Sequence, residues 1–248
     1  ARGGVASRRA SDRLIEAGKI SVNGRRVDQP GTLIDPQQDR VEVEGRHVQP
    51  PAVFSYVLLN KPDGYLVSKS DPHHTKTVFK LLEGLPDNLV AVGRLDLDTT
   101  GVLLLTGDGD LCHRLTHPRF QVEKTYRAAV WGIPDAGDLK RMREGVALED
   151  GTTAPARVKI LKKERPGAVL ELTLHEGRKR QVKMMCRAID HRVRELARTS
   201  FAGLTTAGLK PGQWRELTGP EVGRLRKMVG LSTGTALDKK RDTHSGRG

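Results

Sequence analysis

Aromatic side chains make up only 4% of the 248 residues, so any core must be aliphatic, built from Leu, Val, Ile and Ala. Cysteine is scarcer still. Cys112 and Cys186 do not suggest a disulfide framework, and a reducing compartment is the default. No run approaches the roughly 18 apolar residues of a membrane span. No basic start leads into an apolar stretch of about 7–15 residues, so no secretory signal is expected. No glycine-rich loop ends in Gly-Lys-Ser or Gly-Lys-Thr, which excludes a P-loop NTPase. Gly107-Asp108-Gly109 follows an apolar run but lacks the rest of a dinucleotide fingerprint. Cys112, His113 and His117 match no common zinc spacing and have no evident fourth ligand. His73-His74 reads as a polar loop. Acidic residues are outnumbered: 30 Asp and Glu face 43 Lys and Arg, a net charge of +13 and a pI near 10.0. Such an excess points to a polyanion, most often nucleic acid and less often anionic lipid.

The chain divides by pattern. Ser7 is a good N-cap and Gly18 a good stop, so a helix is expected between them. Ala10, Leu14 and Ala17 share one face of it, and Arg9, Arg13 and Glu16 another. Lys19-Ile20-Ser21-Val22-Asn23-Gly24-Arg25-Arg26-Val27 alternates around Asn-Gly, a strong hairpin signal. Residues 40–44 read as a further strand ending at Gly45. Residues 1–49 therefore form a small α/β unit. Nine Lys and Arg against seven Asp and Glu leave it only +2. The informative feature is clustering: Arg8, Arg9 and Arg13 on the helix, with Lys19, Arg25 and Arg26 on the hairpin. A solvated helix face is the plainer explanation.

Pro50-Pro51 cannot sit inside a helix or a strand ladder, which makes residues 50–52 a linker. A second domain is expected over 53–231. Strands are read at 54–60, 65–68, 89–92, 102–106, 124–130, 156–161, 168–174 and 194–199. Helices are read at 78–82, from a cap at Asp108 or Asp110 to Leu115, at 135–144 and at 180–189. Many strands with few helices indicate α+β, with a mixed, largely antiparallel sheet. Residues 232–248 read as a disordered basic tail.

Two stretches could carry chemistry. Gly93-Arg94-Leu95-Asp96-Leu97-Asp98-Thr99-Thr100-Gly101 is a polar loop between apolar strands. A carboxylate is electrostatically costly in a protein built to hold a polyanion and needs a partner cation. The residues alone leave open whether Asp96 serves catalysis or only turn hydrogen bonding. Residues 175–198 hold eight Lys and Arg against three Asp and Glu. Lys179, Lys183 and Arg187 recur every four residues as one basic stripe, opposite Val182, Met185 and Ile189. Such a stripe fits phosphate contact, and a solvated helix face is again the alternative.

With these residues in view, the chain resembles the S4-linked ribosomal RNA pseudouridine synthases. Gly4-Val5-Ala6-Ser7-Arg8-Arg9 and residues 14–24 resemble an S4 RNA-binding domain. Leu59-Asn60-Lys61-Pro62-Asp63-Gly64, Gly93-Arg94-Leu95-Asp96 through Thr106, and Glu176-Gly177-Arg178 through Met185 carry the synthase resemblance. Glu123-Lys124-Thr125-Tyr126 and residues 209–217 add to it. The subgroup most resembled acts on large-subunit rRNA, the synthase B type. In that family an S4 domain has another half-turn or more of helix, so residues are expected before Ala1.

The resemblance implies isomerisation of uridine to pseudouridine in rRNA, without cofactor or metal, on a fold with a central cleft. It implies large-subunit rather than small-subunit rRNA as partner, a bacterial-type cytoplasmic location, no membrane, and no need for more than a monomer. Asp96 takes the place of the catalytic carboxylate, as nucleophile at the sugar or as base at a ribose proton. Lys183 takes the place of its cationic partner, Tyr126 of the tyrosine stacked on the base, and Arg94 of the arginine that holds the flipped base. Arg8, Arg9, Arg13, Lys19, Arg178 and Arg180 are the expected RNA contacts. Two positions depart from the family pattern. Arg180 stands where many relatives have His, and Lys183 where Arg is common, giving a point-charge pair in place of a bidentate one. A non-catalytic RNA-binding factor with a dead synthase domain, and an S4-linked methyltransferase, are the competing classes. The second needs a glycine-rich adenosyl-methionine loop, and the sequence shows none. Phosphate-dominated binding predicts that affinity for RNA falls by orders of magnitude between about 50 and about 200 mM salt. A flat response in a titration by filter binding would contradict it.

Overall fold

The structure is a computed structural model that describes residues 3–6, 8–35, 38–49 and 53–232. Ser7, the Pro50-Pro51 linker and the tail from 233 onward lie outside the described residues. The chain divides into two compact units between Phe54 and Ser55.

The first unit opens with α1 (Arg8–Glu16), stopped by Gly18 at φ +63°. Four short strands follow: β1 (Ile20–Val22), β2 (Arg25–Val27), β3 (Val41–Val43) and β4 (Arg46–Val48). They form an antiparallel sheet in the order β2-β1-β3-β4. Asn23 and Gly24 both have positive φ, as a two-residue hairpin turn of right-handed strands requires. Glu44 and Gly45 repeat the device, so the chain continues into β4 where the sequence suggested an end at Gly45. None of the described residues of this unit is fully buried, and Ala17, expected on the apolar face, is exposed. So small a unit has little interior to offer.

The second unit is built on one large sheet. Its elements, in chain order, are β5 (Tyr56–Lys61), a 3-10 turn (Val78–Leu81), β6 (Val90–Ala91), β7 (Thr99–Thr106), α2 (Gly109–Thr116), a 3-10 turn (Pro118–Phe120) and β8 (Lys124–Trp131). Next come α3 (Ala136–Glu144), β9 (Ala147–Leu148), β10 (Gly151–Thr152), β11 (Arg157–Glu164) and β12 (Gly167–Leu174). The chain then forms α4 (Gln181–Ala188), β13 (Val193–Phe201), β14 (Trp214–Glu216) and α5 (Gly219–Met228). The strand order is β11-β12-β8-β13-β7-β5-β14, with β6 also on β7, and β9 pairs with β10 apart. All pairs are antiparallel except β13 with β7. The expected α+β class with a mixed, largely antiparallel sheet is the observed one.

Several expectations need correction. Residues 65–68 form no strand; Leu66 makes one isolated bridge to Thr77. The helix expected at 78–82 is a single 3-10 turn. Asp108, not Asp110, caps α2, accepting from the Leu111 amide. Because α4 begins only at Gln181, Lys179 lies before the helix and the three-membered stripe is reduced to Lys183 and Arg187. The sequence reading missed β9, β10, β14 and α5. The last carried a signal: Thr218 and Glu221 form a capping box, with Pro220 in the first turn.

Two clusters of the aliphatic core flank the site. One packs Leu170, Leu172, Met185 and Cys186 with Ala128 and Leu196; the other packs Val57, Leu59, Leu103 and Leu105 with Val78 and Leu89. Tyr126 packs against both, at the seam where β13 joins β8 to β7. Cys112 and Cys186 are free thiols. At the parallel pair, Gly101 lies opposite Arg198 at φ +99°, and a Cβ there would meet the Arg198 carbonyl oxygen at 2.2 Å. Gly101→Ala adds left-handed strain to a backbone clash, so it is expected to cost about 3 kcal/mol, read as a lower denaturant midpoint. An unchanged midpoint would contradict the close approach.

Candidate active site

The loop from Gly93 to Asp98 leaves β6, turns at Gly93 with φ +74°, and enters β7 at Thr99. Its backbone is held from below by Lys61, the last residue of β5. That lysine is 0% exposed. Its Nζ donates to the carbonyl oxygens of Pro62 (3.1 Å), Leu97 (3.0 Å) and Thr99 (2.8 Å). An ammonium has three N–H groups, and here each finds an acceptor. The Gly64 amide also donates to Leu97 O, and the Thr99 amide to Asp96 O. The loop is therefore fixed at Asp96 and on its C-terminal side. Burial pushes the Lys61 pKa down to about 8, against the pull of Asp63, Asp98 and Asp96.

Asp96 is one-third exposed and opens into a cavity of about 330 Å³. Arg94, Tyr126, Arg178 and Arg180 line the same cavity, so the structure brings those four expected residues to the carboxylate. Tyr126 stands on β8 with its hydroxyl free of hydrogen-bond partners among the described residues. Arg94 is exposed at the rim. Arg180 precedes α4 in a left-handed conformation, φ +53°, which carries its side chain out of the helix register.

Lys183 reaches the loop from α4 without lining the cavity. Its Nζ lies 3.7 Å from Asp96 Oδ2, and it donates a hydrogen bond to Asp98 Oδ1. The expected pair is thus a triad in which one ammonium serves two carboxylates. That hydrogen bond holds the Asp98 carboxyl below its ordinary range, although Asp98 is 68% exposed. Asp98 was visible in the motif, but only the approach of α4 reveals its claim on Lys183.

Arg178, expected as an RNA contact, is also engaged inside the fold. Its guanidinium donates to Asp150 Oδ1 (3.2 Å), Gly151 O (2.8 Å) and Thr152 O (2.6 Å) and lies 3.4 Å from Glu176. These partners tie the β9-β10 hairpin to the turn before α4. Most of its donor capacity is taken up there, so it positions the hairpin at the cavity wall. The turn itself is closed by Gln181, which accepts from the Arg178 amide and donates to Glu176.

Two further cations line the cavity and were not anticipated. The Lys124 pKa is pushed down to about 8 by burial and by Arg198 nearby; its Nζ donates to Val122 O. Arg198 is 2% exposed, donates from Nε to Val102 O and stacks on Phe201 at 4.9 Å. A charged residue inside a strand that pairs on both edges was the available signal. In the first unit Arg8, Arg9, Arg13 and Lys19 are all exposed, as a binding face requires. Lys19 is paired with Glu44 at 2.7 Å; the three arginines have no carboxylate partner among the described residues. The cavity brings together a fixed carboxylate, a phenol and several cations. Such a lining suits a polyanion.

Comparison with known proteins agrees with this chemistry. Residues 55–188 match the RNA pseudouridylate synthase family and residues 1–41 match the S4 domain. The chain belongs to the RNA pseudouridylate synthase family and is an enzyme that acts on RNA. Among its relatives, the ribosomal large subunit pseudouridine synthase B of Bacillus subtilis (strain 168) is 42% identical over 231 residues, spanning 92% of this chain and 94% of the relative. An uncharacterized RNA pseudouridine synthase of Aquifex aeolicus (strain VF5) is 42% identical over 92% of each chain. The crystal structure of a pseudouridylate synthase superposes with a TM-score of 0.67 at 30% identity, covering 91% of this chain and 96% of that one. Among the described residues no helix is long and apolar enough to cross a membrane.

The buried lysine sets a pH test. An unfolded lysine keeps its proton to about 10.5, whereas folded Lys61 loses it near 8. Between these values the folded state binds fewer protons, so the contribution of Lys61 to stability grows with rising pH and is lost as pH falls through about 8. The stability gap between wild type and Lys61→Met should therefore widen from about pH 7.5 to about pH 9.5. Denaturant midpoints at the two pH values measure it, and a constant or shrinking gap would place the ammonium in water.

Proposed function

We propose that this synthase isomerises a uridine of large-subunit rRNA, with Asp96 as its catalytic carboxylate. The reaction breaks the bond from ribose C1′ to uracil N1 and forms one from C1′ to C5. The glycosidic carbon is shielded inside a stacked helix, so the target nucleotide is flipped into the cavity. Asp96 meets the sugar there. Attack at C1′ and removal of a ribose proton both need the ionised carboxylate, and the Lys183 ammonium lies 3.7 Å from it as a counter-charge. Tyr126 supports the face of the uracil, and Arg94 helps hold the base out of the RNA stack. Arg180 contacts the backbone at the rim. Arg8, Arg9, Arg13 and Lys19 hold folded RNA from residues 1–49, while residues 53–231 do the chemistry.

The observation that carries this reading is the placement of Asp96: fixed through Lys61, neutralised by Lys183 and open to a cavity shared with Tyr126 and Arg94. The large-subunit assignment rests on the 42% identity to the Bacillus subtilis synthase B, against 36% to the ribosomal small subunit pseudouridine synthase A of Yersinia pestis. Asp96→Asn keeps the shape of the site and removes its charge. Pseudouridine formation should fall by at least about a thousandfold while RNA affinity changes by less than about twofold. An active Asp96→Asn enzyme would sink the assignment. Pseudouridine maps of rRNA from cells with and without the gene locate the target; a site lost from the small subunit alone would overturn the large-subunit assignment.

A further inference from the structure

One group of side chains beside the cavity plays no part in the chemistry above. It lies at the end of α2 and in the 3-10 turn Pro118–Phe120. His113 and His117, one helical turn apart, have ring centroids 5.3 Å apart. His117 meets Phe120 edge-on, at 6.3 Å and 83°. The Arg119 guanidinium lies over the Phe120 ring at 4.6 Å, and that of Arg114 at 5.7 Å. In a chain with so few aromatic residues, a half-buried phenylalanine that carries two guanidinium groups needs an explanation.

The cluster is built in place. Arg114 donates from Nη1 to Val229 O (2.9 Å) and Gly230 O (3.0 Å), which anchors it to the end of α5. His117 Nδ1 accepts from the Arg119 amide at 3.2 Å, which sets the angle of the ring. The turn closes at Gln121, in a left-handed conformation with φ +48°. His113, His117 and Arg119 are exposed. Arg119 has no carboxylate partner among the described residues, and nearby Glu123 is paired with Arg157 at 2.9 Å. None of the exposed large apolar side chains lies between 113 and 120, which disfavours a protein partner. The cluster is continuous with the cavity. Thr116, between His113 and His117, lines it, and so does Lys124, four residues past Phe120.

We propose that His117, Arg119 and Phe120 form a stacking platform for a single-stranded RNA base next to the target uridine. The proposal rests on the reading of the cavity as the place that takes the flipped nucleotide. Flipping one nucleotide unstacks its neighbours, and each exposed base face needs a new partner. Aromatic rings and guanidinium planes are the groups that proteins offer to unstacked bases. A guanidinium already seated on a phenyl ring presents a flat outer face, with its charge toward the RNA. Uncompensated positive charge and direct continuity with the cavity both favour RNA as the occupant.

The test uses the full chain and, as probe, total rRNA of both subunits from cells lacking the gene. Arg119→Ala and Phe120→Leu should raise KM about 5- to 20-fold and leave kcat within about twofold, the range expected for loss of one base stack. Arg119→Lys keeps the charge but not the plane, so it should recover only a minor part of the loss. Ultraviolet cross-linking of the wild-type complex should place RNA on the peptide 113–124. Unchanged KM in the Arg119 variants would overturn the platform, and so would full rescue by Arg119→Lys, which would reduce it to a point charge. Arg119 is exposed, so its variants report even if Phe120→Leu unfolds. A modified site in the small subunit alone would sink the large-subunit assignment and leave the platform standing. An active Asp96→Asn enzyme would remove the cavity reading on which the platform rests.

Discussion

Three carbonyl oxygens, those of Pro62, Leu97 and Thr99, converge on the ammonium of Lys61 inside the fold. Lone carbonyls at this depth would carry an unmet desolvation cost, and a lone ammonium a larger one. Together they satisfy one another and make the end of β5 and the start of β7 a single rigid piece. Asp96 immediately precedes Leu97 on that piece, so the backbone sets its position. The rest of the site is arranged around it. α4 brings Lys183 to the loop, and β8 brings Tyr126 to the cavity that Asp96 lines.

The net charge of +13 takes on a different meaning once partners are assigned. Some cations work entirely within the fold. Lys61 holds a loop, Arg178 holds a hairpin, and Arg198 links β13 to Val102. Others carry no carboxylate partner among the described residues: Arg8, Arg9 and Arg13 in the first unit, Arg94 and Arg119 beside the cavity. Lys183 stands between the two groups, since it serves Asp96 and Asp98 at once. Exposed charge is left available to a polyanion, whereas buried charge shapes the site. Sequence position does not separate these roles, because Arg178 and Arg180 are only two residues apart.

What the sequence made legible follows from the range of the forces involved. Strands with alternating or continuous apolar residues, the Asn23-Gly24 turn and the Asp135 cap of α3 depend on neighbours in the chain, and each was readable. The Gly-Arg-Leu-Asp loop was readable through its resemblance to a family. The misread stripe shows where local reasoning fails. A spacing of four from Lys179 to Arg187 assumed a helix that the turn at 176–180 delays to Gln181. The burial of Lys61, the double role of Lys183 and the internal engagement of Arg178 depend on residues more than 20 positions apart, and no periodicity encodes them.

The lone parallel pair, β7 with β13, has a consequence for how the enzyme comes into being. β13 is the last long strand of the sheet, yet it lies between β7 and β8, which precede it by dozens of residues. Early hairpins can pair as they are made, but the sheet cannot close until residue 201 is available. Non-local closure of this kind is slow compared with helix or hairpin formation. The carboxylate and its ammonium are therefore kept apart during most of synthesis. A growing chain has its S4 domain complete long before it has a reaction centre, so the two functions of the chain mature in sequence and the isomerase comes last.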